Sequence, residues 1–326
     1  MVVRGILMYM QLFIDEQSSK SLKNYLYLLR IDHWFKNIFM LPGAALAIVL
    51  SDITLIDAIE PLLIGILSVC LIASANYVIN EWLDAEFDRF HPVKKNRPSA
   101  LGDIQGRYVC LLYFIVATLG FILASSLSNE FQLVAIFLLV MGVFYNVRPF
   151  RTKDRIYLDV LSESINNPLR FLLGWYALTS GSLPPSSILL AYWMGGAFLM
   201  AVKRYAEFRF IDNPEQAGLY RRSFRFYTEE KLLLSAFFYA LSSALFLGVF
   251  LIKYRIEFLL SFPLFALLFV WYLHIGMKPH SPTQNPEKLY QEKKFVTFVC
   301  VLSLSIAALF VLDLPFLNIL TESVKY

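Results

Sequence analysis

The chain has 326 residues, 58% of them hydrophobic and only 17% charged, with a formal net charge of +4. Soluble domains average about 45–50% apolar and about 25% charged residues, so a soluble fold is excluded and no nucleic-acid partner is expected. The 29 Phe and a mean hydropathy of +0.58 describe an integral membrane protein.

In chain order, residues 1–19 carry one basic residue and no small-residue cleavage site, so they read as a leader rather than a signal peptide. Residues 20–36 form an amphipathic approach with Leu22, Tyr25, Leu26 and Leu29 on one side. Apolar runs then predict nine membrane helices, at 34–50, 58–88, 108–127, 131–147, 157–179, 187–210, 230–252, 256–276 and 294–319. The domain reading is a leader over 1–33 and one nine-helix bundle over 34–326. Cys70, Cys110 and Cys300 all fall in predicted spans, with no disulfide framework and no metal spacing. All Lys and Arg apart from Lys253, Arg255, Lys325 and Arg170 fall on one side of this arrangement. The positive-inside rule then places the N-terminus and that face in the cytoplasm and the C-terminus outside. The expected location is the cell (inner) membrane, multi-pass. Oligomeric state is left open, a homo-oligomer included.

The most informative stretch closes the second helix. Asn80, Asp84 and Asp88 are spaced by four, which stacks their side chains on one helical face. Two carboxylates at that spacing repel, a cost more readily carried if a cation sits between them. Hard oxygen donors suit Mg²⁺, whose remaining positions are commonly filled by substrate phosphates. Arg89, Lys94, Lys95 and Arg97 follow at once, in a loop shaped by Pro92 and Pro98, and supply partners for phosphate oxygens. The bland alternative is a charged helix end at a membrane surface.

A second constellation runs from Tyr145 through Arg148, Arg151, Lys153 and Arg155 into Asp159 and Glu163, again four apart. Asn166, Asn167 and Arg170 carry polarity on into an apolar helix, where ionisable groups are expensive and read as functional. The competing reading is a structural cluster of Asp159 and Glu163 with Arg155 or Arg170. Lys36, entering the first helix, and Lys203 and Arg204, ending the sixth, are further candidate phosphate ligands on the same face. Trp34 reads as an interfacial anchor. The remaining arginines of the 221–225 loop read as headgroup contacts or topology determinants. The four His do not cluster, and none is assigned a metal. A transporter is disfavoured, because the charges gather at one face rather than along a path.

Together these residues resemble the UbiA-type membrane prenyltransferase superfamily, whose pattern is Asn-Asp-x-x-Asp-x-x-x-Asp after helix 2 and a second acidic motif after helix 4. Here the first run has Glu81 in place of the usual Asp, and the second ends in Glu163. The finer resemblance is to the decaprenyl-phosphate phosphoribosyltransferase branch. It rests on Leu29-Arg30-x-x-x-Trp34-x-Lys36-Asn37, Asp88-Arg89-x-His91-Pro92-x-Lys94-x-x-Arg97-Pro98, Tyr145-x-x-Arg148 and Lys203-Arg204-x-Ala206-Glu207. The resemblance implies an all-α, nine-helix bundle with its active site at the cytoplasmic side. It implies Mg²⁺-dependent transfer of 5-phosphoribose from phosphoribosyl pyrophosphate to a polyprenyl phosphate, for cell-envelope precursor synthesis. On that reading Asn80, Asp84 and Asp88 hold the metal, while Asp159 and Glu163 hold a second metal or the ribose hydroxyls. Lys94, Arg97, Arg148 and Lys153 clamp the pyrophosphate. Tyr145 joins the substrate site, and Lys36, Lys203 and Arg204 take the 5-phosphate or the acceptor phosphate. The alternative within the fold is prenyl transfer from a prenyl diphosphate to an aromatic or other lipid-soluble acceptor.

Overall fold

The computed structural model describes residues 22–254, 256–312 and 314–320. The leader expected at 1–19 lies outside them, as do Arg255 and Lys325. Among the described residues the chain is all helical. A short helix at 22–28, here α1, leads through a 3-10 stretch, Ile31–Met40, into α2, Leu41–Leu50. There follow α3 (Leu55–Asp88), α4 (Pro98–Leu101), α5 (Gly106–Ala124), α6 (Asn129–Asn146), α7 (Leu158–Ser164) and α8 (Asn166–Tyr176). The order closes with α9 (Ser186–Ile211), α10 (Pro214–Tyr220), α11 (Glu229–Tyr254), α12 (Phe262–Gly276) and α13 (Lys293–Val311).

Seven helical stretches are long and apolar enough to cross a membrane: Leu22–Leu50, Leu55–Leu83, Gly106–Ala124, Asn129–Asn146, Ser186–Ile211, Glu229–Tyr254 and Ile256–Gly276. Their outward faces carry large apolar side chains such as Phe114, Ile122, Phe237 and Leu245, as a lipid-facing surface requires. The chain is thus a multi-pass membrane protein. Two of the nine expected stretches fall outside this set. The predicted helix at 157–179 is broken into α7 and α8, of 7 and 11 residues. The break has a local cause: Pro168 has no amide hydrogen to give the Ser164 carbonyl four residues back. The predicted helix at 294–319 becomes α13 followed by a separate 3-10 turn, Pro315–Leu320.

The closest-packed neighbours are the antiparallel pairs α3 with α5 and α9 with α11, and α2 with α8, which run in the same direction. The α2–α8 contact is unusually close. A Cβ on Gly43 would lie 2.0 Å from the Phe171 carbonyl oxygen, and one on Gly174 would lie 1.9 Å from that of Met40. Backbone touches backbone there, as small residues allow between membrane helices. The largest core joins Val69, Phe131, Leu138, Phe171, Trp175 and Phe250 within the bundle. A separate aromatic core of Tyr205, Tyr220, Phe224 and Tyr227 fastens α10 and the turn after it to the end of α9.

The geometry of α3 explains where the charged residues sit. Its 34 residues are capped by the Thr54 side chain, which accepts the Asp57 amide hydrogen at 3.2 Å. At 1.5 Å per residue it runs about 50 Å, well beyond a hydrocarbon core of about 30 Å. Its last turn therefore projects past the apolar layer, carrying Asp84 and Asp88 with it.

Candidate functional site

Asn80, Asp84 and Asp88 share one face of α3, and three loops converge on that face. Asn80 donates from Nδ2 to Oδ1 of Asn146 at 2.6 Å. Lys153 Nζ donates to the same oxygen at 2.6 Å, and Arg151 Nη1 donates to the Asn146 carbonyl at 3.0 Å. Asp84 Oδ1 is paired with Lys153 Nζ at 2.5 Å and Arg151 Nη2 at 3.0 Å. Asp88 Oδ2 is paired with Arg97 Nη1 at 2.7 Å. The two carboxylates thus face different cations, which offsets the repulsion that their spacing costs. Arg151 is held in the left-handed region at φ 30° and stacks over the Phe87 ring at 4.7 Å. A non-glycine residue there stores strain of about 1–3 kcal/mol, and such strain gathers at functional sites.

The electrostatics differ between the two acids. Burial pushes Asp88 up to about 6, with Arg97 and Lys94 opposing it. Burial also works against the Asp84 carboxylate, but Lys153 and Arg151 hold it below the usual range. Burial lowers Lys153 to about 8 despite its bond to Asp84.

A small cavity of about 20 Å³ opens on this face, lined by Asp84, Phe87, Asp88, Arg151, Lys153, Asp154, Tyr220 and Arg221. That is room for one ion or one water. Among the described residues no three His, Cys, Asp or Glu side chains come together as a metal cluster. The protein offers two carboxylates and a carboxamide, all hard oxygen donors, with cations alongside. This set fits Mg²⁺ sharing its coordination with phosphate oxygens rather than enclosed by protein alone.

The second acidic pair is arranged differently. Asp159 is wholly buried and accepts the Tyr227 hydroxyl at 2.8 Å and the Ser223 hydroxyl at 3.1 Å, with Arg204 Nε at 3.5 Å. Glu163 takes Arg204 Nη2 at 2.5 Å and the Tyr145 hydroxyl at 2.6 Å. The structural partner of both acids is therefore Arg204, not the Arg155 or Arg170 of the competing reading. Arg170 instead donates from Nε to Asn37 Oδ1 at 2.9 Å, and Asn37 donates to Cys70 Sγ at 3.1 Å.

The remaining expected ligands are dispersed. Lys94 Nζ pairs with Glu207 Oε1 at 2.6 Å and with the Tyr220 hydroxyl. Lys36 stands over the Tyr77 ring at 5.9 Å. Lys203 is half-buried next to Arg204 on α9. Arg148 is exposed and does not line the cavity at Asp84 and Asp88. Arg151, its neighbour three residues on, occupies the position at Asp84 instead. Trp34, expected at the interface, donates from Nε1 to Ser74 Oγ at 2.9 Å and so ties the first span to α3.

Several contributors have no site role in the sequence reading, which takes Arg221 for a headgroup contact or topology determinant and quotes Glu207 and His91 only as motif residues. Arg221 lines the cavity and donates to the Tyr145 hydroxyl at 3.4 Å, while its Nε is buried and unbonded. Glu207, Tyr220 and Asn146 each join side chains from distant segments. His91 is buried and accepts the Val93 and Lys94 amide hydrogens at Nδ1, both at 3.1 Å, which holds the loop before Lys94. Glu81, the departure from the family's Asp, is fully buried against Arg97 at 3.2 Å and Arg30 at 3.5 Å, so it anchors the loop rather than facing a ligand.

An all-helical, multi-pass bundle with carboxylates and clustered cations on one face defines a membrane protein suited to phosphate-bearing substrates. The comparisons narrow that class. Residues 38–299 match the model of the UbiA prenyltransferase family, and the chain belongs to that family. It is 31% identical over 205 residues to a decaprenyl-phosphate phosphoribosyltransferase of Mycolicibacterium smegmatis, covering 61% of each chain. It is 29% identical over 210 residues to the Mycobacterium tuberculosis protein of the same name, covering 63% of this chain and 66% of that one. The matches thus span less than two thirds of these relatives' own length. In fold it is similar to a UbiA homologue from Archaeoglobus fulgidus bound to GPP and Mg²⁺. The TM-score is 0.66 and the identity 22%, with 89% of this chain and all of that one covered.

Proposed function

We propose that the chain transfers 5-phosphoribose from phosphoribosyl pyrophosphate to a polyprenyl phosphate and releases pyrophosphate. The observation that carries this reading is the number of cations gathered about the α3 carboxylates. Arg97, Arg151, Lys153 and Arg221 converge there, and Lys94 stands nearby on Glu207. A donor with both a pyrophosphate and a 5-phosphate needs more positive charge than a prenyl diphosphate does. The likeness to the mycobacterial phosphoribosyltransferases supports the same reading.

In this reading Asn80, Asp84 and Asp88 hold Mg²⁺, which when bound offsets charge building on the leaving pyrophosphate. Lys94, Arg97 and Lys153 bind substrate phosphate oxygens, Lys153 those of the pyrophosphate, giving up carboxylate partners for phosphate ones, and Arg148 stands outside this clamp. Lys36, Lys203 and Arg204 serve the 5-phosphate or the acceptor phosphate. Glu163 and Tyr145 orient the ribose hydroxyls, and Asp159 fixes Arg204. The acceptor phosphate oxygen forms a bond to ribose C1 as the C1–pyrophosphate bond breaks. That oxygen is already anionic at neutral pH, so no general base is required. Counting the α7–α8 pair and α13 as crossings gives nine spans, with the N-terminus and the site on the cytoplasmic side of the cell membrane.

A second reading, prenyl transfer to a lipid-soluble acceptor, is favoured by the fold likeness to a protein bound to GPP and Mg²⁺. Detergent-purified protein with Mg²⁺, polyprenyl phosphate and radiolabelled phosphoribosyl pyrophosphate separates the two. Label entering the lipid phase, and lost with EDTA, is the expected outcome. No label there, with turnover of a prenyl diphosphate instead, would establish the second reading.

A further inference from the structure

A second, larger cavity of about 570 Å³ lies on the other side of Lys94 and Arg97 from Asp84 and Asp88. Its walls come from α1, the loop after α3, the end of α9 and the segment after α12. It is rich in cations: Lys23, Arg30, Lys94, Arg97 and Lys288, set against Asp32 and Glu207.

The partition between the two cavities is made of ion pairs, and it has a polarity. Arg97 is 15% exposed while its partner Asp88 is 3% exposed. Lys94 is 20% exposed while its partner Glu207 is 2% exposed. Both cations face the large cavity, which Glu207 also lines, and Asp88 stands behind Arg97. Asp88 in turn lines the small cavity. Arg97 therefore touches the carboxylate that faces one cavity while lining the other. A phosphate oxygen in the large cavity competes with Asp88 for the same guanidinium, and the planar fork of Arg is well suited to such an exchange.

We propose that the large cavity is a binding site for a phosphomonoester, and that its occupancy frees Asp88 from Arg97 and so strengthens divalent-cation binding in the small cavity. The inference rests on the reading that the α3 carboxylates hold a divalent cation. The coupling is reciprocal, so the cation strengthens phosphate binding by the same factor. The order of events at the site follows: the metal binds tightly only when a phosphate has arrived, which limits futile loading of either ligand alone. The phosphomonoester belongs either to a soluble sugar phosphate or to a lipid headgroup.

Mn²⁺ binding, followed by electron paramagnetic resonance on purified full-length protein, tests this without any turnover. One arm adds inorganic phosphate to protein in detergent. The other places the protein in nanodiscs with or without phosphatidic acid, a lipid phosphomonoester. Tightening of roughly tenfold in one arm is expected. Tightening with phosphate assigns the cavity to a soluble ester, and tightening with phosphatidic acid assigns it to a headgroup. Lys23→Glu with Lys288→Glu, which leaves both ion pairs intact, should abolish the tightening and controls for phosphate binding Mn²⁺ in solution. Arg97→Gln should bind Mn²⁺ more tightly from the start and respond to neither probe. Mn²⁺ that binds the wild type but ignores both probes would overturn the inference. No Mn²⁺ binding under any condition would overturn the metal reading on which it rests.

Discussion

Asp84 and Asp88 stand four residues apart at the end of α3, and Asp159 and Glu163 stand four apart in α7, yet the two pairs are held in different ways. The first pair lies past the apolar layer and meets cations delivered by loops: Arg97 from one, Arg151 and Lys153 from another. The second pair meets one arginine from a long helix, Arg204, and Asp159 is further bonded by Ser223 and Tyr227. Loop cations can change partners when a ligand arrives. A helix-borne arginine buried among four oxygen-bearing side chains is less free to do so, and in the proposed site it meets a phosphate while keeping them. Spacing marks a common face, and the origin of the partners decides whether that face can exchange them for a ligand.

Removing one acid from each pair breaks the comparison most directly. Asp84→Asn should lower turnover by on the order of 10²- to 10³-fold, the scale of losing one group that stabilises developing charge. Its thermal midpoint should stay within a few degrees of wild type. Normal turnover would sink the assignment of the first pair to the ligand. Asp159→Asn should instead act on folding. It strips a fully buried partner from Arg204, and breaking a buried pair costs about 3–5 kcal/mol. A thermal-shift measurement in detergent should show a clear drop in midpoint. An unchanged midpoint with lost activity would mean that Asp159, like Glu163, meets substrate.

Two arginines three residues apart sharpen the point at smaller scale. Arg151→Ala removes charged hydrogen bonds worth about 1.5–3 kcal/mol, so turnover should fall by roughly tenfold or more. Arg148→Ala changes an exposed side chain and should stay within about twofold. Equal effects in a steady-state assay would place both residues at the substrate.

The smallest effect comes from pH. Asp88 is raised by burial to about 6, above its unfolded value near 4. Its proton is therefore bound more tightly in the folded state, and it adds stability as pH falls from 7 toward 4. A cation needs the ionised form, so Mn²⁺ binding should weaken over the same window. Opposite slopes in thermal shift and in Mn²⁺ titration are the expected pair of results. Parallel slopes would show that other groups control both.

The membrane class was legible because composition and apolar run length are local properties. The α3 face was legible for the same kind of reason: four-residue spacing fixes side-chain direction before any tertiary contact exists. Lys94 and Arg97 stood out as basic residues in a proline-shaped loop. What could not be read was which acid each cation meets. Lys94 and Glu207 are 113 residues apart, and Arg151 and Asp84 are 67 apart. No periodicity links such positions. Arg148 and Arg151 were indistinguishable as letters, and only the left-handed turn at Arg151 aims that side chain inward. The break between α7 and α8 did leave a trace in Pro168, outweighed in the reading by the apolar run around it.

The meeting of α2 and α8 has a consequence for traffic through the bilayer. Gly43 lies against the carbonyl of Phe171, and Gly174 against that of Met40, with no side chain between them. A seam of that kind has no width to lend, and a prenyl chain a few ångströms thick cannot slip through it. Whatever long lipid reaches the carboxylates must come in from another side of the bundle, with this edge serving as the fixed wall against which the opening is measured.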